Sequence, residues 1–172
     1  AAGEQAPVSA QTSLGYDGNV VSQVRLAPIK LDEADGNSLD FSGMQFEASG
    51  DKEGKASKFH GQADRFVMKL VRDDQPPATF ELKGLKVGGN LAATSHDTVY
   101  VGNVDLALAE TKVTLGPKQQ VLQIKGLEQN VLQALDGPDT VGGRVEYKVG
   151  DMTWDGRAVG KAQMVVSVTS VN

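Results

Sequence analysis

The sequence of 172 residues has no cysteine, few aromatic residues and no long apolar run. Because cysteine is absent, the chain has no disulfide framework, no thiolate metal site and no cysteine nucleophile. No stretch reaches the roughly 18 consecutive apolar residues that a membrane-spanning helix requires. The basic residues are not clustered and the net charge is -5, which argues against an electrostatic surface for nucleic acids or anionic membranes.

The residues that are abundant favour a β-sheet. The chain has 20 glycines, many valines and threonines, and charges that are spread in short alternations. This composition suits a sheet of many strands better than a helical bundle. The length is sufficient for one domain with a sizeable core.

A short motif with a central glycine returns at nearly constant spacing. Apolar residues lie four and two positions before Gly43, Gly84 and Gly126 and one position after them, and these glycines are 41 and 42 residues apart. The alternation of apolar and polar residues slips by one position at each glycine. A β-bulge explains the slip, because it inserts one residue, often a glycine in the left-handed conformation. We therefore predict that the three are structural bulge glycines.

A second motif keeps the same period. Glycine, any residue, valine or alanine, and then an acidic residue begin at Gly61, Gly102 and Gly143, at intervals of 41 residues. Two motifs with one period predict a repeated unit of a long strand, a turn and a return strand. The predicted fold is mainly β, a repeated antiparallel meander of long, bulged, curved strands. It has about eight strands in four repeats of about 41 residues, with little or no helix.

Two segments are predicted to differ from the repeated strands. Residues 127–135 have a helix-forming composition and end at Asp136-Gly137-Pro138, so a short helix is the alternative there. Residues 1–13 are predicted to be a flexible tail, because they have too little apolar content to order themselves. Residues 14–172 then form a single β-repeat domain. The sequence does not begin with methionine, so this domain is interpreted as a fragment of a larger protein.

The titratable residues do not form a catalytic or metal-binding pattern. His60 and His96 lie in different repeats without closely spaced ligands. Residues 32–37 are acidic like a calcium loop but lack its alternating ligand spacing, so a hairpin turn is predicted instead. There is no nucleophile elbow, phosphate-binding glycine loop or paired acid and base. The sequence therefore predicts no enzyme, no cofactor and no metal site.

Acidic residues recur in register in the second motif, as Asp64, Asp105 and Glu146. Carboxylates in a cross-strand ladder repel one another. We therefore expect these three to face solvent or to pair with Lys and Arg of neighbouring strands.

The remaining candidates for function are large apolar side chains. One interpretation is an ordinary core, and the other is a curved sheet whose concave side shelters acyl chains. The candidate ligand-binding residues on the apolar face are Phe41, Phe46, Phe66, Met68, Phe80, Tyr147 and Trp154.

Three segments carry a resemblance to a known family. They are Phe80-Glu-Leu-Lys-Gly-Leu-Lys-Val87, Tyr100-Val-Gly-Asn-Val-Asp-Leu-Ala-Leu108 and Val121-Leu-Gln-Ile-Lys-Gly-Leu127. They resemble the YdgA-like family of Gram-negative bacterial envelope proteins, a family of unknown function. The likeness covers the chain from about Gly18 onward. It implies a periplasmic β-rich region behind an anchor in the inner membrane, of which this chain is a segment, and it provides no catalytic residues.

The expected function is a non-enzymatic periplasmic module that binds or scaffolds other molecules in the cell envelope. The alternative is a carrier of lipid or another amphipathic ligand on the concave face of the sheet. The expected protein partner is the remainder of the membrane-anchored parent chain, or a second copy, paired through the C-terminal edge strand at residues 164–171. Lipid is a further candidate partner, and nucleic acid is not expected.

Overall fold

The computed structural model describes residues 7–73, 75–95, 99–137 and 140–171, and these contain eleven β-strands. The strands are β1 (Val8–Leu14), β2 (Asn19–Leu26), β3 (Ile29–Asp32), β4 (Ser38–Phe41), β5 (Met44–Asp51), β6 (Ala56–Arg72), β7 (Gln75–Ala93), β8 (Tyr100–Leu115), β9 (Gln120–Leu135), β10 (Val141–Trp154) and β11 (Arg157–Val171). No helix occurs within these residues, and thus none that could cross a bilayer.

The strands form one antiparallel sheet whose spatial order follows the chain. β1, β2 and β5 to β11 lie side by side in that sequence, β3 pairs with β4, and β4 also pairs with β6. The predicted all-β antiparallel meander is therefore confirmed. The turn between β10 and β11 is Asp155-Gly156, where both residues have positive φ, as a type I′ hairpin turn requires.

The number of strands is eleven and not about eight. Two long strands are each interrupted in the middle: the first is divided into β2 and β3, and the second into β4 and β5. The two halves of each strand pair with the neighbouring strand in the same register. The N-terminal strand β1 accounts for the remaining difference. The number of repeats stays a prediction.

The predicted flexible tail is wrong for the part that the structure describes. Residues 8–14 form β1, which pairs with β2 from Val8 opposite Leu26 to Leu14 opposite Val20. Apolar or small residues alternate there with Ser9, Gln11 and Ser13, which is the period of a strand. Pairing with β2 satisfies the backbone groups on that side of β1, so the segment orders despite its few apolar residues.

The alternative helix at residues 127–135 is also wrong, because this segment belongs to β9. Leu127 pairs with Leu108 on one side and with Val149 on the other, and the pairing continues to the end of the strand. Backbone hydrogen bonds to two neighbouring strands outweigh a helix propensity that amounts to a few tenths of a kcal/mol per residue.

The three glycines of the first motif have positive φ, but they do not shift the register. Gly43, Gly84 and Gly126 have φ of 90°, 64° and 71°. A bulge in one strand would displace the pairing beyond it. Instead, Leu85 and Lys83, on either side of Gly84, pair with Ala63 and Arg65 on β6 without displacement.

In the neighbouring strands, the alternation of side chains between the two faces of the sheet also slips at the level of these glycines. We call the opposed positions the break row, and they are Gly43, Asp64, Gly84, Ala109, Gly126 and Gly150. Every strand across the row as far as β10 slips by one residue together with its neighbours in the row, so their register is conserved. Between β10 and β11 the register shifts next to Gly150 instead. Paired slips, and not isolated bulges, keep the apolar residues on one face of the sheet.

Within the described residues the sheet is a single layer. The most buried apolar residues are Ala63 and Leu108, with 8% and 9% of their surface exposed, and both lie beside the break row. Most other apolar residues on the central strands are half-buried between their neighbours in the sheet. No described second sheet or helix covers either face.

Candidate functional site: one apolar face

The register assigns the side chains to two faces of different chemistry. Directly opposite residues of antiparallel strands project to the same side of the sheet. One row of such residues crosses seven strands, from β5 to β11, and consists of Phe46, Gly61, Val87, Leu106, Gln129, Tyr147 and Met164. We call the side that holds this row the apolar face and the other side the polar face.

The apolar face continues beyond the break row. On β6, Gly61 and Ala63 are buried, and after the break row Phe66 and Met68 are half-buried. Phe66 lies opposite Phe41, and Met68 lies opposite Phe80. The last candidate, Trp154, pairs with Leu122, whose neighbour across β8 is Val113, the residue opposite Phe80. All seven residues predicted for the apolar face therefore lie on it.

Aromatic rings on this face fill space beside glycines of the next strand. The Phe46 ring would approach a Cβ on Gly61 to 2.9 Å, and the Phe59 ring would approach one on Gly89 to 2.8 Å. The two rings stack with centroids 6.0 Å apart, while Phe41 and Phe66 meet edge to face at 6.3 Å. Phe59 was not among the sequence candidates, although its alternation with Gly61 and Ala63 places it on the same face.

The polar face carries a chain of charged side chains beside the break row. The Arg65 Nη1 donates to Asp40 Oδ2 at 2.9 Å, and its Nε donates to Glu81 Oε1 at 3.3 Å. Lys83 Nζ lies 3.4 Å from Glu81 Oε1 and 3.9 Å from Glu110 Oε1. Partial burial would raise the pKa of Glu81, but Arg65 and Lys83 outweigh it and hold this pKa below its usual value.

The recurring acidic residues have different partners. Glu146 lies 3.3 Å from Lys148 and 3.4 Å from Arg144, which belong to its own strand β10 and not to a neighbouring strand as predicted. Its partner on the neighbouring strand β11 is the amide of Gln163, which donates to it at 2.6 Å. Asp105 accepts hydrogen bonds from the amides of Asn103 and Asn130 instead. Asp64 is solvent-exposed in the break row, as expected.

The histidines and the acidic turn do not come together as a site. His60 is exposed on the polar face of β6, and His96 lies outside the described residues. Residues 33–37 form the turn between β3 and β4, in which Asp35 accepts hydrogen bonds from the backbone and side chain of Asn37. Within the described part of the chain, no three His, Asp or Glu residues are placed to hold a metal ion.

Comparison with known proteins places the chain in a family of bacterial proteins. Residues 1–172 match the family described as "Bacterial protein of unknown function (DUF945)", and the chain belongs to that family. Among curated proteins it is similar to Protein YdgA of Escherichia coli (strain K12), with 24% identity over 170 residues. The match covers 98% of this chain and 33% of the E. coli protein, so the chain spans about a third of that relative. No solved structure matches.

Proposed function

We propose that the chain is a non-enzymatic binding module of the bacterial cell envelope, whose apolar face holds amphipathic molecules by their acyl chains. The observation that supports this proposal is the continuity of the apolar face across the sheet without a described element packed on it. Large contiguous apolar surfaces on proteins usually mark interaction sites. A face of mainly charged and amide side chains lies on the other side of the same strands, so the two faces differ in chemistry.

The energetics favour a ligand with extended apolar surface. Each Å² of apolar surface removed from water contributes roughly 25 cal/mol, so a few hundred Å² would contribute several kcal/mol. Met164 and Val166 on β11 remain 54% and 46% exposed, and Trp154 on β10 remains 37% exposed. These side chains have surface left for a ligand to cover. The rows of aliphatic residues offer contact without hydrogen-bond specificity, as acyl chains require.

The location in the envelope is supported by the resemblance of the repeated motifs to YdgA-like proteins. In the proposed arrangement the longer protein is anchored in the inner membrane, and this module lies in the periplasm. An apolar binding surface on that side of the membrane would be accessible to lipids that move through the envelope.

The test of this proposal uses Trp154 as a reporter, since it is the only tryptophan and lies on the apolar face. On mixing with phosphatidylethanolamine and phosphatidylglycerol, we expect its fluorescence to shift to shorter wavelength. Native mass spectrometry of protein purified from a bacterial envelope should detect a stoichiometric lipid. Met164→Glu should weaken lipid binding about tenfold or more, because it places a carboxylate on the apolar face of β11.

The matched control is Ser167→Glu, which places the same charge on the polar face of β11 opposite Arg144. This variant should bind lipid like the wild type. A lipid-free protein in mass spectrometry together with an unchanged Trp154 spectrum would contradict the proposal.

A second candidate function is a scaffold that extends its sheet by pairing at the β11 edge. β11 is a terminal strand of the sheet, and it has no charged residue from Ala162 to Thr169. Such an uncharged edge is a template for another strand, from the longer protein or from a second copy.

In sedimentation velocity we expect self-association that rises with concentration, and Val166→Lys should reduce it. A strict monomer for both proteins would exclude self-pairing.

A further inference from the structure

The polar face has a strip of apolar residues at one end. Exposure of this face to solvent does not explain these residues. Ala56 on β6 lies opposite Ala92 on β7, which lies opposite Val101 on β8. Ala134 on β9 follows at the same level, since the adjacent pair is Gly102 with Gln133. Elsewhere this face carries mainly charges and amides with single apolar residues such as Ala107 and Leu132, so four small apolar residues in a row are an exception to its pattern.

This strip lines part of a cavity of about 910 Å³, a groove that is open to solvent along the sheet. Such a volume is typical of a small-molecule site. Most residues that line the cavity project to the polar face by the register of their strands. The cavity therefore lies on the side opposite the proposed lipid surface. With strands about 4.8 Å apart, the strip from Ala56 to Ala134 is about 14 Å long. One leaflet of a bilayer core, about half of 30 Å, has the same dimension.

Polar side chains line the cavity beside the Ala56 end of the strip, and one of them is the cation of Lys58. Asn19, Ser49 and Lys58 line it on β2, β5 and β6. Within the described residues, Lys58 has no carboxylate at salt-bridge distance. Asp51 also lines the cavity, but its carboxylate accepts from the N–H groups of Glu53, Lys55 and Ala56 at 2.8, 3.1 and 2.6 Å.

We infer that this cavity binds a single-chain anionic amphiphile, with its carboxylate or phosphate beside Lys58 and its chain along the strip from Ala56 to Ala134. Lys58 lies beside one end of the apolar strip, since it is two residues from Ala56 on β6, and a charge at one end of a hydrocarbon chain is the arrangement in such a ligand. The small side chains of the strip leave space for a chain of methylene groups. The inference does not depend on the function proposed for the apolar face, because the two surfaces lie on opposite sides of the sheet.

The experiment is isothermal titration calorimetry of the full chain with myristate, tetradecyl phosphate and uncharged tetradecyl maltoside below their micelle concentrations. We expect a site that binds at least one of the two anions at least tenfold more tightly than the maltoside. Which anion binds more tightly identifies a fatty acid or a phosphate headgroup as the source. Lys58→Glu should weaken anion binding about five- to tenfold, and Ala92→Trp should abolish it by filling the strip.

Lys86→Glu is the control, because Lys86 is exposed on the same face but does not line the cavity. It should change the affinity by less than twofold. Lys58→Glu should also leave the shift of Trp154 fluorescence by phospholipid unchanged, which separates this cavity from the apolar face. No anion binding, equal binding of the maltoside, or insensitivity to both Lys58→Glu and Ala92→Trp would overturn the inference.

Discussion

Replacing Leu108 with aspartate will unfold the protein, whereas the same replacement at the neighbouring Ala107 will not. Leu108 lies on the apolar face between Leu85 and Leu127, with 9% of its surface exposed. Removing a buried leucine side chain costs about 2–5 kcal/mol, and an unpaired carboxylate in the same place adds to this loss. The sum approaches the whole stability of an ordinary domain, which is about 5–15 kcal/mol.

The control uses the alternation of the strand. Ala107 projects to the polar face, opposite Lys86 and Glu128. Ala107→Asp should therefore change the free energy of unfolding, measured by urea denaturation, by about 1 kcal/mol or less. If both variants unfold at the same urea concentration, the assignment of the two faces is wrong.

The second large effect is expected at the break row, where Gly84→Ala should destabilise the protein more than Gly126→Ala. Both glycines have positive φ, which costs an alanine about 1–2 kcal/mol. A Cβ on Gly84 would also lie 2.8 Å from the Cβ of Ala109, whereas a Cβ on Gly126 would meet no atom within 4 Å. We expect losses of about 2–4 kcal/mol and about 1–2 kcal/mol respectively. Gly84→Val should cost more than either.

A rescue variant separates the steric part of this loss from the backbone part. In the double variant Gly84→Ala with Ala109→Gly, the clash is absent and the strain at positive φ persists. A double-mutant cycle by urea denaturation should therefore give a favourable coupling of about 1–2 kcal/mol between the two positions. A coupling near zero would contradict the contact across the break row.

The strands and their faces were predictable because the hydrophobic pattern records them locally. The apolar side of β7 and the position of its slip can be read from four residues of the strand, Phe80 and Leu82 before the slip and Leu85 and Val87 after it. The same pattern in β6, although weaker, places Phe59 on the apolar face. Each strand therefore specifies its own orientation, and the meander follows from short turns between consecutive strands.

The pattern of a single strand did not predict that the neighbouring strands slip at the same level. A glycine with positive φ is compatible with an isolated bulge or with a slip that the partner shares. Only the pairing of Gly84 with the positions of Asp64 and Ala109 distinguishes these alternatives. Neither Asp64 nor Ala109 has a sequence feature that marks a break, since both residue types occur in regular strands.

The cavity beside Lys58 was missed for a similar reason. Ala56, Ala92, Val101 and Ala134 are far apart in the sequence, and each is an ordinary residue for its strand. Their alignment across four strands depends on the register, which single-strand patterns do not define. The sequence analysis also did not predict that residues 8–14 form strand β1. This strand is stabilised by backbone pairing with β2 and not by its own side chains.

The correspondence between chain order and sheet order has a consequence for how the molecule is made. From β5 onward each strand pairs with the next strand to be synthesised, so most contacts join segments close in sequence. Such a sheet can assemble progressively, with each emerging hairpin adding to an edge that is already formed, as in linear repeat proteins. Evolution can then lengthen or shorten the molecule by whole hairpins, because a gain or loss at one end leaves the pairing of distant strands intact.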